Sequence, residues 1–344
     1  VDLAVNAGST AGGTDYTLSG TQITIAAGST TGSVTVTGNN DAIYEGPETV
    51  IIDLTSVTNA TDPAPAEQQA VTITDDDSVP TVTLSTTGSP IAENGGVATI
   101  TATLSNATTQ TVTVDLAVNA GSTAGGTDYT LSGTQITIAA GSTTGSVTLT
   151  GNNDAIYEGP ETVIIDLTSV TNATDPAPAE QQTVTITDDD SVPTVTLSTT
   201  GSPIAENGGV ATITATLSNP TTQTVTVDLA VNAGSTAGGT DYTLSGTQIT
   251  IAAGSTTGTI TVTGNNDAIY EGPETVIIDM TSVTNATDPA PAEQQTVTIT
   301  DDDSAPTVSL STTGSPIAEN GGVATITATL SNATTQTVTV DLAV

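Results

Sequence analysis

The sequence predicts an all-β chain of tandem sandwich domains arranged as beads on a string, and three observations carry that prediction. Val, Ile and Leu alternate with Thr, Ser and Gln in segments such as VATITATLS and TVTVDLAVN, the period of a strand with one buried face. VDLAV begins at Val1, Val114, Val227 and Val340, so the pattern returns every 113 residues. That is too long for a solenoid repeat of roughly 20 to 50 residues and about the size of one domain. Clusters of Gly, Pro, Asn and Asp separate the alternating segments, and no helical period of comparable length competes with them.

The copies differ by small swaps: Val36, Leu149 and Val262 share one site, Leu54, Leu167 and Met280 another, and Ala70 stands against Thr183 and Ala107 against Pro220. The natural seam is DDDSVP or DDDSAP, where a strand ends and Pro80, Pro193 or Pro306 opens the next unit. That phasing gives a partial unit over 1–79 lacking its first two strands, complete units over 80–192 and 193–305, and a partial unit over 306–344 holding first strands only. The end pieces are complementary. They fit either a window on a longer array or strand donation between molecules, and both imply copies of the chain along a fibre.

Within 80–192 the alternation predicts seven strands, at 81–85, 97–105, 111–119, 134–140, 146–150, 162–170 and 183–187. Inward positions include Ile100, Ala102, Leu104, Val112, Val114, Leu116, Val118, Ile136, Ile138, Val147, Val163, Ile165, Leu167, Val184 and Ile186. Two packed antiparallel sheets account for this pattern.

The charge is one-sided. The chain has 37 acids, no Lys, Arg or His, and a formal net charge of -37. Nucleic acid and anionic membranes are bound chiefly through Lys and Arg, so neither is an expected partner. With 11% charged residues and ordered alternation, the chain should nevertheless fold. Cysteine is absent, no apolar run is long enough to span a membrane, and the sequence opens on Val1 in mid-strand, like an excerpt. The few aromatics are all Tyr, so cores must be aliphatic and modest.

If consecutive strands run antiparallel, odd and even connections fall at opposite ends of the sandwich. Connections one (86–96), three (120–133) and five (151–161), with the end of strand seven, then bring Glu93, Asp128, Asp154, Glu158, Glu161, Asp188, Asp189 and Asp190 to one end. The other end, with connections NATTQ, AGSTTG and TNATDPAPAEQQ, keeps Asp175 and Glu180. Asp115 and Asp166 are expected as solvated charges on outward strand positions. Carboxylates converging without a basic partner repel one another unless a cation neutralises them. Ca2+ fits best, taking six to eight hard oxygens at about 2.3–2.6 Å in flexible geometry. Zinc and copper want His or Cys. Tyr129 and Tyr157 flank proposed ligands and are expected to anchor loops or cap the core.

Four marks, IAENGG at 91–96, GGTDYT at 125–130, NDAIYEGPETV at 153–163 and VTITDDD at 184–190, resemble the Calx-beta domain family, known from sodium/calcium exchangers and many microbial surface proteins. The resemblance covers each whole unit and implies a seven-stranded immunoglobulin-like sandwich with calcium at the end reached by the parity argument. Carried over by motif, the implied ligands are Glu93, Asp128, Asp154, Glu158, Asp188, Asp189 and Asp190, with the Ile156 carbonyl. In the next unit they are Glu206, Asp241, Asp267, Glu271, Asp301, Asp302 and Asp303, and in the first Asp15, Asp41, Glu45, Asp75, Asp76 and Asp77. Asn153 departs from the exchanger pattern, which has an acid there; its amide oxygen can still coordinate, with effects on affinity and ion number.

Three function classes follow. Near-identical beads with calcium at each joint fit the structural region of an extracellular or cell-surface filament or adhesin stalk. A calcium sensor or buffer would call for divergent units. An enzyme is not expected, because without His, Lys or Cys only carboxylate pairs could act. The NAT triplets at 59–61, 106–108, 172–174, 285–287 and 332–334 match the glycan acceptor pattern, and Pro220 breaks it at Asn219.

Overall fold

The structure, a computed structural model, describes residues 1–62, 67–175, 180–288, 291 and 293–343. It divides into two compact units, residues 1–153 with 160–188, and residues 154–159 with 189–344. Among the described residues all regular structure is β.

The second repeat shows the architecture. A five-stranded sheet runs in the order Gln135–Ile138, Val112–Val118, Glu161–Thr171, Gln181–Thr187 and Ile91–Ala92. A four-stranded sheet runs Tyr129–Leu131, Thr144–Gly151, Val97–Leu104 and Val82–Thr87. The third repeat reproduces both sheets with the same neighbours. The seven long strands are where alternation placed them, and three short ones are added: Ile91–Ala92, Ala107–Thr108 and Tyr129–Leu131. These segments are too short to show a period of two and are held by pairing with distant partners. Part of the sixth connection, 176–179, lies outside the described residues, as do its counterparts 63–66, 289–290 and 292, and Val344.

The two inner faces make a closed aliphatic core. Ile100, Val112, Val114, Ile138, Leu149, Val163, Ile165 and Val184 are fully buried, with Tyr129 and Leu131 packed at the margin. Val118 departs from its expected inward place and is 42% exposed, because it is the last residue of its strand. Met280 replaces Leu167 at 3% exposure in the equivalent core of the third repeat, a volume-conserving swap of the kind cores tolerate.

Two strand carboxylates differ from the expectation of plain solvation. Asp166 accepts hydrogen bonds from Asn119 Nδ2 at 2.6 Å and Gln181 Nε2 at 2.7 Å. Asp115 accepts from Gln135 Nε2 and Ser169 Oγ at 2.6 Å each. Both are held below the ordinary carboxylate range, Asp166 by Gln181 and then Asn119, Asp115 by Ser169 and then Gln135. Neutral amides and hydroxyls thus stabilise ionised acids across neighbouring strands where other proteins use cations.

Candidate metal centre

The third repeat lies wholly within the second unit, and its acidic end is built by strand pairing. Ile204–Ala205 pairs in parallel with Ile299–Thr300, which sets Glu206 beside Asp301. At the end of the adjoining strand, a Cβ added to Gly264 would meet the Ala205 carbonyl oxygen at 2.5 Å and that of Glu206 at 2.9 Å. Only glycine admits this close approach. Glu206 is then 4% exposed, and its Oε1 accepts the backbone N–H of Asp267 at 2.8 Å.

Asp301 follows the last strand and acts as a hub. Its Oδ2 accepts the N–H groups of Glu271 and Gly272 at 2.6 Å each, and its Oδ1 accepts that of Asp303 at 2.7 Å. Gly272 has φ +77°, a left-handed conformation that glycine adopts without penalty. Asp241, 8% exposed, accepts from Gly238 N and Thr240 Oγ1. Asp267 Oδ1 accepts from Ile269 N at 2.7 Å, and Asn266 turns its amide nitrogen to the Asp267 carbonyl.

These loops converge. Carboxylate oxygens of Glu206, Asp301 and Asp303 lie within 4.8 Å of one another, and so do those of Asp15, Glu45 and Glu48 in the first repeat, and of Asp75, Asp76 and Asp77. In the first repeat Asp75 repeats the hub of Asp301, accepting from Glu45 and Gly46 N–H, and Asp41 accepts from Ile43 N. In the third repeat Asp302 faces solvent, outside the Glu206, Asp301 and Asp303 group.

The middle repeat's expected ligands fall in both compact units. Glu93, Asp128, Asn153 and Asp188 belong to the first, and Asp154, Ile156, Glu158, Asp189 and Asp190 to the second. Glu93 and Asp128 are 4% and 8% exposed, matching Glu206 and Asp241. Asp154 Oδ1 accepts from Ile156 N at 2.7 Å, and Asp189 is exposed.

The electrostatics are those of acids short of a cation. Burial, a hydrogen bond with Asp241 and the charges of Glu271, Asp241 and Asp301 push Glu274 up to about 7, and Glu48 is pushed up to about 7 by burial, Asp15 and the same kind of neighbours. Glu271 is raised by burial and then by Asp241, Asp267, Glu206 and Asp301. Burial also acts on Asp301, but the three backbone N–H groups prevail and hold it low. Glu48 Oε2 and Asp303 Oδ2 are buried with no hydrogen-bond partner. Hard, buried, partly unpartnered oxygens suit Ca2+, with Glu206, Asp241, Asp267, Glu271, Glu274, Asp301 and Asp303 as the residues that would hold it. Glu274, with Glu48 and Glu161, was not in the ligand set drawn from motif, although parity had placed Glu161 at this end. The signal was the final acid of YEGPE, three residues past the motif's first.

Residues 1–77, 75–190 and 188–303 each match the family model of the Calx-beta domain. The chain belongs to the Calx-beta family. Among solved structures, CBD12 from CALX1.2 is 16% identical, with 61% of this chain and 84% of that one covered and a TM-score of 0.29. The calcium binding domain CBD12 of CALX1.1 is 15% identical over 58% and 80%, TM-score 0.27. A protein of unknown function from Porphyromonas gingivalis W83 is 11% identical over 63% and 99%, TM-score 0.20. At such scores these likenesses add nothing to the assignment. A comparison with curated proteins finds no match.

In this Calx-beta chain the acidic loop is also a joint. Ile43–Tyr44, between Asp41 and Glu45, pairs in parallel with Ala107–Thr108 of the following repeat, and Thr109 N donates to the Tyr44 carbonyl at 3.2 Å. In the second unit Ile269–Tyr270 pairs likewise with Ala333–Thr334, and Tyr157 bridges to Thr221. The two tyrosines of a repeat therefore have separate roles, Tyr129 at the core margin and the YEGPE tyrosine at the joint. Asn106 donates to the Ser78 carbonyl of the seam at 3.0 Å, Asn172 to Thr111 and Asn285 to Thr224, so the amides of these NAT triplets serve the fold.

Proposed function

We propose that this chain is a structural repeat region of an extracellular or cell-surface filament or adhesin stalk, stiffened by calcium bound at the acidic end of each Calx-beta domain. The supporting observation is the continuity of Asp41, Ile43–Tyr44 and Glu45: the loop that offers ligands is the loop that pairs with Ala107–Thr108 of the next repeat. An ion that orders the first orders the second, since ligand binding stabilises whatever conformation it selects. The calcium-bound oxygens would be those of the acids named above, and the chain's own part is to fix the loops and carry load. Its partners in this reading are copies of itself along a fibre, and its role is mechanical rather than catalytic.

Calcium titration by calorimetry, with small-angle scattering and melting in calcium and in chelator, tests it. Binding, a raised melting temperature and a narrower distribution of inter-repeat distances are expected. No bound ion with unchanged melting would overturn it.

A further inference from the structure

The two outer faces of a complete repeat differ in charge. On the five-stranded sheet of the second repeat Asp115 and Asp166 lie on the outer face, each held ionised by neighbouring amides and hydroxyls. On the four-stranded sheet there is no acid at all: none occurs in Val82–Thr87, Val97–Leu104, Tyr129–Leu131 or Thr144–Gly151. Alternation sends the aliphatic side chains of these strands inward, as in the strictly alternating burial of Val97–Leu104, and leaves threonine and serine outward. Strand register then sets the hydroxyls in ranks. Thr101 stands between Ser85 and Ser146, and Thr103 between Thr83 and Thr144. The third repeat has the same array, with Thr214 between Ser198 and Thr259 and Thr216 between Thr196 and Thr257.

In a chain of formal net charge -37, approaching copies repel one another through their fixed carboxylates. The threonine face brings none into contact. Each hydroxyl both donates and accepts, whereas an ionised carboxylate only accepts, so a face of hydroxyls can satisfy a second face identical to itself. Threonine is stiff at χ1 and loses little side-chain freedom on contact. Twisted sheets also pack face to face in an aligned stack about 10 Å apart.

We propose that the threonine face of the four-stranded sheet is a lateral contact between copies of this chain, offered by the second and third repeats to the same face of a neighbouring molecule. One such face, three strands wide and six residues long, measures about 14 by 20 Å. That is well below the roughly 800 Å² per partner that a stable dimer buries. A single contact is therefore weak, and its strength grows with the number of repeats that engage together. The pairing uses no calcium ligand and stands apart from the calcium reading.

Small-angle scattering and dipolar EPR on the whole chain in chelator, at about 0.1–1 mM, test it. The chain has no cysteine, so Ser85→Cys and Ser198→Cys each accept a single nitroxide on the threonine face, and Thr183→Cys and Thr296→Cys each accept one on the opposite sheet. Raising sodium chloride is expected to promote dimers, since fixed charge only opposes the contact. Singly labelled chains, alone and mixed, should then show Ser85 and Ser198 labels within about 30 Å of one another between molecules, with Thr183 and Thr296 labels beyond about 40 Å. Thr101→Asp combined with Thr214→Asp adds a carboxylate to each face and should weaken dimerisation at least about tenfold. Where those aspartates lower the melting temperature, the label distances decide. Monomers at every salt and chain concentration, dimers in which only the Thr183 or Thr296 labels approach, or undiminished dimerisation of the folded double variant would overturn the proposal. A face covered by some other molecule would give the first of these results. Calcium titration has no part in these readouts, so failure here leaves the proposed function standing.

Discussion

Glu206 and Asp267 stand 61 residues apart in sequence and meet through one bond, the Asp267 N–H donated to Glu206 Oε1 at 2.8 Å. That bond ties the first acidic loop of the third repeat to the loop that carries its joint strand, Ile269–Tyr270. Replacing Glu206 with Ala should therefore weaken calcium binding at this repeat and loosen the loop. Calorimetric titration and hydrogen exchange at Asp267 check this, and equal protection in variant and parent would argue against it.

Gly264 should tolerate no side chain. In Gly264→Ala the new Cβ meets two carbonyl oxygens of the Ala205–Glu206 backbone, a crowding that costs about 1–3 kcal/mol. Chemical denaturation should read that loss, and calcium affinity should fall with it because Glu206 is displaced.

Under the proposed function protonation would compete with calcium at Glu48 and Glu274, both pushed up to about 7. Their folded pKa exceeds the unfolded value, so the folded state binds more protons between roughly pH 4.5 and 7, and their contribution is lost as pH rises through 7. Asp75, Asp115, Asp166 and Asp301 are lowered, and their contribution is lost as pH falls below the ordinary Asp range. In chelator the melting temperature should peak in mildly acid solution and decline toward pH 8. Saturating calcium should remove the decline, with protons released on binding near pH 7. A flat profile in chelator would contradict this.

Thr109→Pro removes the N–H that reaches the Tyr44 carbonyl. The core residues lie elsewhere, so unfolding should change little while the joint strand pair opens. Faster exchange confined to 41–45 and 107–110, and a broader scattering envelope in calcium, are the expected readouts.

How much was legible in the sequence differs from element to element. Ile100, Val114 and Ile165 announced themselves through alternation, and the odd connections announced the acidic end. Tyr129–Leu131 and Ile91–Ala92 did not, because two or three residues carry no period and their pairing is with strands remote in sequence. Glu274 was missing from the candidate ligands drawn from motif because its place depends on the turn at Gly272, a conformation rather than a spacing. Asp166 looked like a solvated charge because its partners, Asn119 and Gln181, come from neighbouring strands.

The amide cradle around Asp115 and Asp166 has a consequence for solvent. Every fixed side-chain charge on this molecule is negative, and the strand carboxylates are held by neutral donors, so dissolved salt finds no attraction to weaken and only repulsion to relieve. Raising sodium chloride in the presence of chelator should therefore raise the melting temperature. Brine that loosens a protein tied by ion pairs should tighten this one.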